Sequence, residues 1–104
     1  MELDAILREA VGRSASDVHL KTGAPPIFRI NGTLTRWDDA GVVDAAAMQG
    51  LVGQLLDPYH QKRLQEDLQV DVGYGNADLG RFRVNVFHQR GLLQAALRLI
   101  PARV

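Results

Sequence analysis

The chain predicts an α+β domain: an antiparallel sheet with its helices gathered on one side. Three observations lead there. Asp17 to Lys21, Val70 to Tyr74 and Arg81 to Phe87 alternate polar and apolar residues, the period of half-buried strands. Asn31-Gly32, between two short β-prone runs, is the preferred pair for a tight hairpin turn with both central residues at positive φ. Leu3, Ile6, Leu7, Ala10 and Val11 recur at helical spacing. Strands that follow one another through tight turns pair antiparallel, which leaves the helices to cover one face.

The elements follow in order. A first amphipathic helix spans about residues 2–11, with Gly12 as its stop. The strand 17–21 comes next, then the rigid turn Gly23-Ala24-Pro25-Pro26, whose prolines fix φ and remove two backbone donors. The hairpin joins 27–30 to 33–37. Asp44 caps a second helix with Met48, Leu51, Val52, Leu55 and Leu56 on its buried stripe. Asp57-Pro58 caps and opens a third helix to about Asp67, because proline suits the first helical position. Strands 70–74, 81–89 and 92–100 complete the order α-β-β-β-α-α-β-β-β, separated by turns at 76–80 and at Gly91.

Size and charge bound the function. At 104 residues there is room for one core and not two. Twelve basic and twelve acidic residues cancel, which argues against a nucleic-acid partner, since such binders carry a basic footprint. There is no cysteine, so disulfides, thiolate metal sites and thiol chemistry are excluded, in keeping with a cytoplasmic setting. No apolar run approaches the roughly 20 residues that span a bilayer.

The candidate site is the strand Arg81-Phe82-Arg83-Val84-Asn85-Val86-Phe87. Alternation puts Arg81, Arg83, Asn85 and Phe87 on one face, with Phe82, Val84 and Val86 on the other. Two guanidiniums on a rigid strand make a multi-donor surface suited to phosphate or carboxylate. The competing account is an ordinary solvated sheet face. In the last strand Arg98 shares a side with Gln94 and Ala96, and one common arginine face requires a register that joins it to Arg83. Asp17 and His19 share a strand face and predict either a hydrogen-bonded pair or, more weakly, two metal ligands. His19, His60 and His88 match no metal-binding spacing, and no metal site is expected. Phosphate-binding loops of the Gly-x-x-x-x-Gly-Lys-Ser/Thr type, Gly-x-Gly-x-x-Gly fingerprints and Gly-x-Ser-x-Gly elbows are all missing, so no catalytic residue is expected. Trp37 is read as core or rim packing, and Asp38-Asp39 as a solvated loop.

Four blocks carry a resemblance. Ala15-Ser16-Asp17-Val18-His19-Leu20, Thr22-Gly23-Ala24-Pro25-Pro26 with Arg29-Ile30-Asn31-Gly32, Gly80-Arg81-Phe82-Arg83-Val84-Asn85-Val86-Phe87, and Leu97-Arg98-Leu99-Ile100-Pro101 lie in register across essentially the whole chain. Together they resemble the PilT-type ATPases, the type IV pilus retraction motors of the type II/IV secretion ATPase superfamily. The two-proline turn favours the retraction branch. The resemblance implies a PAS-like N-terminal domain over 1–100 and, at 101–104, the start of a linker to a RecA-like ATPase domain absent here. It implies a cytoplasmic homohexamer, peripheral at the inner membrane through the pilus machine and its platform protein. ATP and Mg²⁺ would be held by the second domain, with no tight nucleotide binding here and no hydrolysis by this chain alone. The family's N-terminal domain brings arginines to the nucleotide phosphates, and the matching positions are Arg81, Arg83 and Arg98, with Arg90 a weaker candidate. The alternative function is a free-standing PAS-like sensory domain with a small-molecule pocket.

Overall fold

The computed structural model describes residues 1–101, so the linker expected over 101–104 lies, past Pro101, outside the described residues. The elements run α1 (Leu3–Gly12), β1 (Asp17–Lys21), β2 (Ile27–Ile30), β3 (Thr33–Arg36), a 3₁₀ turn (Asp38–Ala40), α2 (Ala45–Leu55), α3 (Pro58–Asp67), β4 (Gln69–Asn76), β5 (Gly80–Gln89) and β6 (Leu92–Ile100). The six strands form one antiparallel sheet in the order β3-β2-β1-β6-β5-β4. Two three-stranded meanders, one from each half of the chain, are thereby joined by the pairing of β1 with β6. That single seam decides which residues of the two halves meet.

Local chemistry explains most of the element ends. Asp44 and Asp57 each accept from the backbone N–H three residues on, at 2.8 Å, so both helices start with a carboxylate cap. Asn31 and Gly32 have φ of 51° and 79°, the geometry of a turn that matches the right-handed strand twist. Helix α1 differs from expectation at both ends. Glu2 offers no side-chain cap, and Gln54 of α2 takes its place, its Oε1 accepting from Leu3 N–H at 3.0 Å. Gly12 does not stop the helix. It forms the last turn, while the Arg13–Glu9 ion pair at 2.7 Å holds the next residue and Ser14 takes the left-handed position at φ 58°.

The two sheet faces part cleanly. Val18, Leu20, Phe28, Phe82, Val84, Val86, Leu93, Ala95 and Leu97 point inward and join Leu3, Leu7, Met48, Leu51 and Leu64 of the three helices in one core. Burying each large side chain contributes about 1.5–3 kcal/mol, so this face holds the sheet and helices together. Trp37 packs at the rim, its ring 5.9 Å from that of Phe28, with the Arg13 guanidinium over both rings. The opposite face of the sheet has no helix over it. None of the described helices is long and apolar enough to cross a membrane.

Candidate functional site

The uncovered face collects the polar residues of five adjacent strands. Register places Asp17 opposite Arg98, and Arg98 opposite Arg83, so β1, β6 and β5 contribute one row across the sheet. Arg29 continues that row on β2, its Nη1 donating to the Gly32 carbonyl at 3.0 Å. The next row runs from Asp71 through Asn85 and Ala96 to His19. Between the rows lies a shallow depression of about 390 Å³, lined by Asp17, His19, Asp71, Arg83, Asn85 and Arg98. Ala96 contributes its lining too, and its small side chain leaves room that a larger one would fill.

The charges in this hollow are unequally committed. Arg98 donates from Nε to Asp17 Oδ2 at 3.2 Å, and Ser16 Oγ donates to Asp17 Oδ1 at 2.7 Å. Burial alone would raise the Asp17 carboxyl, but the hydrogen bonds from Ser16 and Arg98, with the Arg98 charge, hold it below its ordinary value. Asn85 Nδ2 donates to Asp71 Oδ1 at 2.9 Å, which occupies the second carboxylate. Arg83 is exposed and has no ion-pair or hydrogen-bond partner among the described residues. Arg83 and Arg98 thus stand side by side on neighbouring strands, with the Asp17 carboxylate on the far side of Arg98. The hollow sets two guanidiniums against two carboxylates and leaves one fork free, that of Arg83.

The imidazole of His19 is half-buried, and burial holds it below its ordinary value against the pull of Asp17; Lys21 and Arg29 push the same way. It is therefore neutral near pH 7. The hydrogen-bonded Asp17–His19 pair expected from alternation does not form, because the seam between β1 and β6 gives Asp17 a cationic partner 81 residues away. Among the described residues no three metal-ligating side chains gather in one place.

Of the arginines singled out by the sequence, Arg83 and Arg98 come together. Arg81 lies on the same face one row away and leans toward the edge strand, its Nη2 over Gly73. The backbone there approaches so closely that a Cβ on Gly75 would collide with the Gly80 carbonyl. Arg90 is elsewhere. It sits at φ 54° in the β5–β6 turn, seven residues and roughly 23 Å along the strand from Arg83. Asp17, read from the sequence only as a companion of His19, is instead the partner of Arg98. Its position was visible, but its partner could be found only through the β1–β6 register.

No family model matches the chain. A crystal structure of the pilus retraction motor PilT with bound ADP superposes with a TM-score of 0.92 at 39% identity, covering 100% of this chain and 30% of that one. This chain carries the N-terminal domain of the PilT-type ATPases, within the type II/IV secretion ATPase superfamily. The type IV pilus retraction ATPase PilT of Pseudomonas aeruginosa is 29% identical over 104 residues, all of this chain and 30% of that protein. The ATPase DotB of Legionella pneumophila matches at TM-score 0.77 and 25% identity, over 95% of this chain and 29% of that one. The PilT-type domain described here therefore spans about 30% of the length of the relatives it matches.

Proposed function

We propose that this domain serves ring assembly and nucleotide sensing in a hexameric motor ATPase that powers type IV pilus retraction. In this reading a RecA-like domain, of the same or a neighbouring subunit, holds ATP and Mg²⁺. The arginine face of the sheet then closes on the phosphates. Arg83 and Arg98 would make the principal contacts and Arg81 a third. Full-length protein would hydrolyse ATP as a homohexamer, on the cytoplasmic side of the inner membrane against the pilus platform protein. The observation that carries the proposal is Arg83: an exposed guanidinium, unpartnered among the described residues, directly opposite Arg98 on the one helix-free face. Phosphoryl transfer is catalysed largely by positioning and charge neutralisation, which is what such a surface supplies. The residues fit an outer contact to phosphate. They lack the glycine-rich cradle and the magnesium ligands that would hold a nucleotide unaided.

The test is steady-state hydrolysis and thermal melting of the same full-length variants. Arg83→Ala should lower kcat by about tenfold or more, a cautious floor beside the 10³–10⁵ of arginine fingers, with little change in melting temperature. Arg83→Lys should rescue poorly, since a point charge does not reproduce the planar fork. If the arginines are only surface ion pairs, each is worth about 0–1 kcal/mol of stability and kcat stays normal. A normal kcat in Arg83→Ala would end the proposal.

A further inference from the structure

Arg98 holds Asp17 by its side and not by its end. The contact runs from Nε, at 3.2 Å, and no hydrogen bond or ion pair occupies either terminal nitrogen among the described residues. The Arg98 side chain is 73% exposed, while that of Asp17 is only 12% exposed. A long, exposed arginine ordinarily samples many rotamers, and fixing one at the moment of binding weakens affinity. Here the carboxylate is itself fixed before any ligand arrives. It sits on a central strand paired on both sides, and Ser16 Oγ holds its other oxygen.

We infer that Asp17 is a positioning residue: it clamps Arg98 through Nε and so presents the two free terminal nitrogens, beside Arg83, to a phosphate-bearing ligand. The inference deepens the phosphate-contact reading above and rests on it. Asp17 is not a contact for the ligand. Its charge, taken alone, repels an anion, and this makes the clamp separable from simple electrostatics. Removing a negative charge should tighten anion binding; removing a clamp should loosen it. The two effects have opposite sign in one variant.

Inorganic pyrophosphate is the probe, titrated into this chain at low salt, with arginine Nε–H signals followed by NMR and folding checked by thermal melts. Asp17→Ala should bind pyrophosphate about three- to tenfold more weakly than the unaltered chain, the cost of ordering one long side chain on binding. Asp17→Asn keeps an acceptor for Arg98 Nε, the Ser16 hydroxyl can turn to suit it, and one repelling charge is gone. It should bind at least as tightly as the unaltered chain and keep the Arg98 Nε–H signal protected from exchange. Should Asp17→Ala not fold, the Asn variant with that protection signal decides alone. Pyrophosphate binding in Asp17→Ala equal to or tighter than in the unaltered chain would overturn the inference, as would Asn binding no better than Ala. Weakening by Arg83→Ala and Arg98→Ala alongside either result leaves the phosphate-contact reading standing and removes only the clamp. If neither arginine variant weakens binding, the phosphate-contact reading falls and the clamp with it.

Discussion

Tyr74 shows how a single side chain ties the sheet edge to a helix. Its hydroxyl donates to Asp4 Oδ1 at 2.6 Å, bridging β4 and the first turn of α1. Burial, the hydrogen bond to Asp4 and the charges of Asp4 and Glu2 push its ionisation up to about 12 from the ordinary 10. The folded chain therefore keeps this proton where the unfolded chain loses it. The contribution is complete below pH 10 and is lost as pH rises toward 12. Tyr74→Phe should lower stability at pH 7 by about 1 kcal/mol. It should also flatten the decline in stability between pH 10 and 12, read by urea denaturation at both ends of that range. An unchanged alkaline decline in the Phe variant would mean that the bond to Asp4 is not its source. Asp17 acts on the acid side in the opposite sense: its lowered carboxyl contributes stability above about pH 3.8 that disappears as pH falls further. Such residues divide by how they could be read from sequence. The face of Arg83 follows from alternation alone. The partner of Arg98 does not, because it depends on which strands are neighbours, and nothing local to Asp17 or Arg98 records that β1 lies beside β6.

Elements were legible wherever the sequence carries its own punctuation. Strands β1, β5 and β6 and the caps at Asp44 and Asp57 fall where pattern and capping chemistry put them. Left-handed positions filled by a residue other than glycine are the least legible, and one of them accounts for the misplaced end of α1, whereas the end of α3 and the β5–β6 turn fall where they were expected. Ser14 ends α1 and Leu68, at φ 64°, ends α3, and neither residue type announces that conformation. Leu68 O then accepts from His88 N–H at 3.0 Å, which starts the β4 pairing earlier than alternation suggested. The β5–β6 turn is a third instance. Arg90 and Gly91, at φ 54° and 78°, form the same two-residue turn as Asn31 and Gly32, but with arginine where asparagine is preferred. Arg90→Asn should therefore stabilise the chain by about 0.5 kcal/mol, since asparagine visits the left-handed region more readily. Chemical denaturation checks this, and pyrophosphate titration of the same variant should be unchanged because the turn lies far from Arg83. Loss of anion binding would give Arg90 a place in the site that its position argues against.

At the scale of the whole molecule, the two faces of the sheet have different status. The helix-covered face is complete: its core residues come from every strand group and all three helices, so the chain has what a cooperative fold requires. The arginine face carries cations and a hollow but no group that encloses a ligand. In the function proposed above such a face is one side of a heterologous interface, and interfaces of that kind close a ring only when the complementary surface is supplied. The sheet edges offer little alternative. Strand β3 has four residues, and β4 presents Asp71 with Gly73 and Gly75, features that discourage edge-to-edge pairing. Zero formal net charge provides no long-range attraction for a polyanion. The chain alone should therefore sediment as a monomer at micromolar concentration, and calorimetry should find ATP affinity weaker than micromolar. The two measurements fail independently. A stable hexamer would move the ring contacts into this domain, whereas micromolar ATP affinity from a monomer would make the arginine face a self-sufficient site. Both results together would replace the division of labour between domains with a nucleotide-binding ring formed by this domain alone.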